Sequence, residues 1–343
     1  MADNGFDVAL FGSTPLARLV AGILARDHGR RVLLIGREAS PQRLPRTIDS
    51  ALPAATRPET WSLLRAGELE TLRLLGSIGA AEAVSRITVA VHGDTEATAV
   101  ALAHIAHLAM GFGMAGRSTG PVHTFRDVAL LNADALSPKL APWLASLGVT
   151  AADSDAAQLG FLKSGAAELT VSGERVAAAQ IVLADDPALL DLLPEAQRPE
   201  QLIVQPMTAT LTAPTRRLPA PVVRWPARGI TLLRRPGDSV LALIDGDTDT
   251  ETRLASALPG PFPLARLATS RFRRVVTTDG APLIGRLKPS KLTILAGLGD
   301  AAVFLAPAIA RWLAGVSSDD EKRWFAARDP ARPSRETVAE FVP

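Results

Sequence analysis

The sequence has no cysteine and no tyrosine among its 343 residues. Without cysteine there is no disulfide, no thiolate zinc site, no iron–sulfur cluster and no catalytic thiol. Without tyrosine a common general acid is missing. Polar chemistry falls to Arg, Asp, Glu, Ser, Thr, five His or a bound cofactor. Long apolar runs are absent too: the longest candidate, 292–316, is interrupted by Asp300 and Arg311. The N-terminal segment lacks the basic, apolar, small-residue order of a signal peptide, so the expectation is a cytoplasmic protein with no membrane span.

Acidic excess is also missing, but only slightly. The net charge is +2, yet the pI is about 9.4. With no Cys or Tyr, little titrates between His and Lys, so a small positive excess persists to high pH. No basic run with interleaved aromatics accompanies it, which argues against a nucleic-acid partner. Apolar residues make up 47% and charged residues 21%, as in a globular protein able to bury a sizeable core.

The stretch 7–36 reads strand, tight turn, helix, strand. Residues 6–12 are a short apolar run ending in Gly. Leu16, Leu19, Val20, Ile23 and Leu24 recur at helical spacing, and Gly29 fits the helix end. Residues 31–35 form a second buried strand, so a parallel βαβ unit follows. The turn, Gly12-Ser13-Thr14-Pro15-Leu16-Ala17, is set against the dinucleotide fingerprint G-x-G-x-x-G/A. Gly12 and Ala17 satisfy its first and third positions. Thr14 replaces the second glycine, which lets a pyrophosphate approach the backbone. Its hydroxyl could bond a phosphate instead, and the helix N-terminus still offers N–H groups and its dipole. Pro15 costs nothing in a first helical turn. The second strand ends on Gly36, where an acid would accept ribose hydroxyls. Glu38 could reach back to that position and Arg37 could bind a phosphate, but solvated surface charge is the favoured account of both.

Helices are expected at 60–79, with Leu63, Leu64, Leu69, Leu72 and Leu75 on the core face, at 96–113 and at 134–147. A strand is expected at 86–93. A hairpin spans 157–172 about Ser164–Gly165. Residues 179–186 read as a buried strand. Segments 202–213, 221–225, 229–234 and 239–244 form an antiparallel region, and a strand, glycine turn and helix close the chain before an irregular tail at 327–343. His104 and His107 lie three apart on a helix, but no third ligand accompanies them, and no metal site is expected.

The C-terminal stretch carries a specific pattern. "RRVVTTDGAPLIGRL" (273–287) precedes "TILAGLGDAAVFLAPAIARWLAG" (293–315). Together they resemble the D-amino-acid oxidase, glycine oxidase and sarcosine oxidase family, which reads R-x-x-T-x-D-G-x-P-x-I-G and then A-G-H-G-x-x-G-x-x-L-A-P. Thr278 (or Thr277), Asp279, Gly280, Pro282, Ile284 and Gly285 match the first part. Gly297, Gly299, Leu305, Ala306 and Pro307 match the second. Weaker echoes at 179–194 and 206–225 extend the resemblance over nearly the whole chain.

The resemblance implies an α/β fold: a Rossmann-like FAD-binding domain with an interleaved antiparallel-β substrate domain, of the glutathione-reductase-2 or D-amino-acid oxidase type. It places the FAD domain at 1–85, 128–190 and 272–343 and the substrate domain at 86–127 and 191–271. It implies non-covalent FAD held by Gly12, Ser13, Thr14, Pro15, Leu16, Ala17 and Arg37 at one end, and by Pro282, Ile284, Gly297, Leu298, Gly299 and Asp300 at the other. Arg274 matches the position that grips a substrate carboxylate; a surface arginine beside Arg271 and Arg273 is the other reading. No catalytic acid or base is implied.

Departures from the pattern cluster on the flavin. They are Thr14, Gly36, Ala184–Asp185–Asp186 in place of A-T-G, and Leu298 with Asp300 and Ala302 in the last loop. If the pocket is blocked, Asp185, Asp186 and Asp300 are the first suspects. Two functions therefore stand: an FAD-dependent oxidoreductase that passes a hydride from an amine or amino acid to flavin, or a non-catalytic relative, such as a partner subunit, that keeps the fold and binds FAD weakly or not at all.

Overall fold

The computed structural model describes residues 5–37, 43–51, 55–214, 218–257 and 265–333. β1 (Phe6–Phe11), α1 (Pro15–His28) and β2 (Val32–Ile35) open the chain. The two strands pair in parallel, Val8 opposite Val32 and Phe11 opposite Ile35. β2 is buried along its whole length, which explains its unbroken apolar run: a parallel strand is covered on both faces. Gly29 ends α1 in the left-handed conformation at φ 60°, where glycine has no Cβ penalty.

A six-stranded sheet is built around this unit. Its order is Leu283–Arg286, Thr293–Ala296, Ala178–Leu183, β1, β2, Thr150–Ala152. Only the edge strand Leu283–Arg286 is antiparallel to its neighbour. One face is covered by α1 together with the helices Ala133–Ser146 and Ala306–Ala314 and by α2 (Pro58–Ser77). The other face meets a small three-stranded sheet, Ala157–Phe161, Ala167–Val171 and Glu174–Val176, and the short helix Asp186–Leu192.

The second sheet has eight strands, from Arg266–Thr277 at one edge to Gly116–Thr119 at the other. It is antiparallel except where Val222–Trp225 runs parallel to Val84–His92. There two separate antiparallel segments of the chain join, and no hairpin imposes the opposite direction. The four short β segments expected between 202 and 244 become strands within a residue or two of their anticipated limits.

α2 corrects one expectation. Its core face carries Thr60, Trp61, Leu64, Gly67, Glu68, Thr71, Leu74 and Leu75, whereas Leu63 and Leu72 are half-buried and Leu69 is exposed. Six leucines and a tryptophan leave several helical stripes to choose from, and the close approach of the Phe304 carbonyl to Gly67 selects this one. The helix Asp319–Ala326, opened by a Ser318–Glu321 capping box, was not anticipated from sequence; its Trp324 and Phe325 pack into the core. No helix among the described residues is long and apolar enough to cross a membrane on its own.

Candidate active site

The turn between β1 and α1 has the expected shape, and the chain itself fills it. Thr14 caps α1 and its hydroxyl accepts from Ala17 N–H at 3.4 Å. Asp185, at the end of the neighbouring strand, points its carboxylate into the turn. It accepts from Ser13 N–H at 2.7 Å, from Thr14 N–H, and from Ala188 N–H at 3.0 Å. It thus caps the helix Asp186–Leu192 while sitting at the N-terminus of α1. Burial pushes its carboxyl above the usual range, and the three backbone N–H bonds pull the other way.

Gly36 is fixed by close approach. A Cβ there would lie 2.4 Å from the Gly12 carbonyl oxygen. The acid missing from the end of β2 is therefore sterically excluded. Arg37 is exposed and pairs with Asp155 at 3.1 Å, outside the turn. Glu38 lies outside the described residues. Leu16, Ala17, Ile284 and Leu298 place their side chains in the hydrophobic core, so only their backbones could face a ligand.

A cavity of about 320 Å³ opens between the eight-stranded sheet and the 297–301 loop. One wall is apolar: Val91, Ile105, Phe125, Met207, Trp225 and Leu243. The other carries Gln205, Arg224, Asp245, Arg274 and Asp300, with Gly280, Gly297 and Gly299 at the loop end. Gly297 and Gly299 have φ of 65° and 62°, and a Cβ on Gly297 would meet the Thr277 methyl at 2.9 Å. Asp279, before Gly280, is bound by Arg332 at 2.8 Å, and Arg332 also donates to the Ala281 and Pro282 carbonyls. The part of the tail at 331–333 is thus a clamp on the D-G turn.

Arg274 lines the cavity and stands 3.7 Å from Asp300. Arg224 is the residue the sequence reading missed. It donates to Asp300 Oδ2 and to Ser50 Oγ, each at 2.9 Å, and its buried Nε has no partner among the described residues. Its signal in the sequence was an arginine inside the otherwise buried strand Val222–Trp225. Asp245, at the end of another buried strand, accepts from Gln205 at 2.8 Å, and burial raises its carboxyl against the pull of Arg274. Asp186 accepts from Val275 N–H at 3.0 Å and is pushed up to about 6 by burial, with Arg274 opposing. Asp49 is pushed up to about 7 by burial and by the Asp300 charge.

His104 bonds the Thr56 carbonyl through Nε2 at 2.8 Å. Among the described residues no three His, Asp or Glu side chains come together as a metal site.

Neither a protein-family model nor a curated protein matches the sequence. Solved structures do. NikD, an amino acid oxidase essential for nikkomycin biosynthesis, superposes in its open form with a TM-score of 0.71 at 17% identity, covering 97% of this chain and 100% of that one. L-proline dehydrogenase from P. horikoshii gives 0.70 at 14% identity, over 96% and 98%. Glycine oxidase from Geobacillus kaustophilus gives 0.67 at 17%, over 96% and 97%. The chain has the D-amino-acid oxidase-like fold. The resemblance read from the 273–315 motifs is borne out at that level, and nothing in these comparisons favours the non-catalytic alternative.

The residues present can be set against the FAD this fold implies. At the ring end they fit: a cavity half apolar, with a glycine loop leading into the helical segment from Gly299. At the pyrophosphate end they do not fit while Asp185 holds its place, because a carboxylate already takes the N–H groups of Ser13 and Thr14.

Proposed function

We propose that this protein is an FAD-dependent oxidoreductase acting on an amine or amino acid. The observation that carries this reading is one shared cavity: Arg274 stands 3.7 Å from Asp300, the residue after Gly299, so the substrate anchor and the loop expected beside the flavin ring face each other. Flavin, when bound, supplies the hydride acceptor for oxidation of the carbon beside nitrogen.

The chain's own part is to bind, orient and desolvate. The Arg274 guanidinium offers a planar fork to a substrate carboxylate. Arg224 adds a second cation with a free donor at Nε. The apolar wall accepts a hydrophobic substituent and excludes water. The division of labour proposed is a cofactor unit of 1–85, 128–190 and 272–343 beside a substrate unit of 86–127 and 191–271. Within the cofactor unit, the β1–α1 turn and the 297–300 loop are the proposed contacts, made by backbone where side chains are buried.

The test is optical and thermal. At saturating FAD the protein should acquire protein-bound flavin bands and a higher Tm; ligand at a hundredfold over Kd adds about 2.7 kcal/mol. The bound flavin should bleach without oxygen when an amino acid from a substrate panel is added. No band, no shift and no bleaching at any FAD concentration would overturn the reading.

A further inference from the structure

We propose that Asp185 is a built-in occupant of the dinucleotide site: its carboxylate takes the place of the cofactor's diphosphate at the N-terminus of α1 and holds the turn closed until it is displaced.

Three observations carry this. First, the anion site is made and filled. Backbone N–H groups at a helix N-terminus form the ordinary cradle for a phosphate, and those of Ser13 and Thr14 already donate to Asp185. Second, the contact is tight and buried. Asp185 is 8% exposed, and its Oδ2 would lie 3.2 Å from a Cβ built on Gly12, so no phosphate fits between carboxylate and turn. Third, the same carboxylate caps the helix Asp186–Leu192 through Ala188 N–H, so it is anchored from both sides.

The packing of the turn agrees. The Gly12 carbonyl lies against Gly36, and Gly12 N–H bonds the Ile35 carbonyl at 2.9 Å. With no side chain at position 36, the turn rests directly on the end of β2. A bound dinucleotide would bring two phosphate charges to a place already holding one carboxylate, whose N–H donors it must share.

The inference rests on the flavin reading for the identity of the displaced cofactor, but the turn can be tested without flavin. The variant Asp185→Ser keeps a side-chain cap for the helix Asp186–Leu192 and withdraws the carboxylate from the turn. Circular dichroism confirms that it is folded. Two probes are then titrated by calorimetry into wild type and variant: ADP, which tests the diphosphate cradle alone, and FAD. The expected result is weak but measurable ADP and FAD binding by wild type, saturable at high concentration, and at least tenfold tighter binding of both by Asp185→Ser. If ADP tightens tenfold while FAD binds neither protein, the inference holds and the flavin reading fails. If wild type binds FAD tightly and the variant differs by less than threefold, Asp185 is no occupant and the flavin reading holds. If a folded variant binds ADP no better than wild type, the inference is overturned. Should the serine variant not fold, Asp185→Asn replaces it under the same criteria, since an amide cannot satisfy all three N–H donors.

Discussion

Asp300 Oδ2 lies 2.9 Å from Arg224 Nη2, with both side chains largely shielded from solvent. Its other oxygen stands 3.7 Å from Arg274. The cavity therefore carries a carboxylate of its own between two guanidiniums, at the position proposed for a substrate carboxylate. This is the second place, after the β1–α1 turn, where an aspartate departs from the pattern the sequence resembles and takes the donors of a proposed binding position.

Removing that carboxylate should act in two directions. Asp300→Ala leaves the shielded Arg224 without its partner, which costs about 3 kcal/mol. The same change frees Arg274 and Arg224 for an external anion. Urea unfolding should show a lower midpoint at unchanged slope, and calorimetry should show a small aromatic carboxylate binding about tenfold tighter. Reduced stability without tighter carboxylate binding would make Asp300 a structural partner only.

Arg274→Ala should weaken a carboxylate-bearing substrate by on the order of 2–5 kcal/mol, the usual loss when one member of a shielded charge pair is removed. Arg274→Lys should recover only part of it, because an ammonium lacks the planar fork. The flavin spectrum should stay as in wild type. Steady-state KM and kcat for the best amino acid decide it; unchanged values place the guanidinium outside the substrate site.

Asp186 gives a pH dependence of definite sign. Its carboxyl titrates at about 6 in the folded protein against 3.8 for the free group, chiefly because burial disfavours the charged form. The folded state therefore binds this proton more tightly than the unfolded chain. The contribution is fully present below pH 4 and is lost as pH rises through 6, a change on the order of 3 kcal/mol. Asp186→Asn, whose amide oxygen can still accept from Val275 N–H, should remove it. Urea stability measured from pH 4 to 8 should fall more steeply in wild type than in the variant. Parallel curves would refute the assignment.

Gly36→Ala should destabilise the fold by about 1–3 kcal/mol, since a Cβ 2.4 Å from the Gly12 carbonyl forces the backbone to move. Gly36→Glu, which would restore the fingerprint acid, should do no better and should not create a ribose contact. Thermal denaturation of both variants checks this; an unchanged Tm for Gly36→Glu would mean that the turn is free to lift off β2.

Much of this molecule is fixed by local pattern. The buried runs at 6–11 and 32–35, the helical spacing of Leu16 to Leu24 and the Pro- and Gly-punctuated segments from 202 to 245 become the expected elements, because period and punctuation act over a few residues. The turn at Asp279–Gly280 and the glycines at 297 and 299 were readable as the motifs that carry the family resemblance, which pointed to the same fold. Charge placement was not readable. That Arg332 clamps Asp279, that Arg224 joins Arg274 about Asp300, and that Asp185 turns back into the opening loop are contacts between segments 53, 76 and 172 residues apart. Sequence named Asp185 and Asp300 as departures from the pattern and as first suspects for a blocked pocket, and Asp300 also among the residues expected to hold FAD. Which donors each would take was decided by the sheet order that brings the end of strand Ala178–Leu183 beside β1, and by the loop that carries Asp300 against the second sheet. A buried carboxylate must find donors where the packed chain leaves them, and here they are backbone N–H groups of the β1–α1 turn for Asp185 and two guanidiniums of the cavity for Asp300.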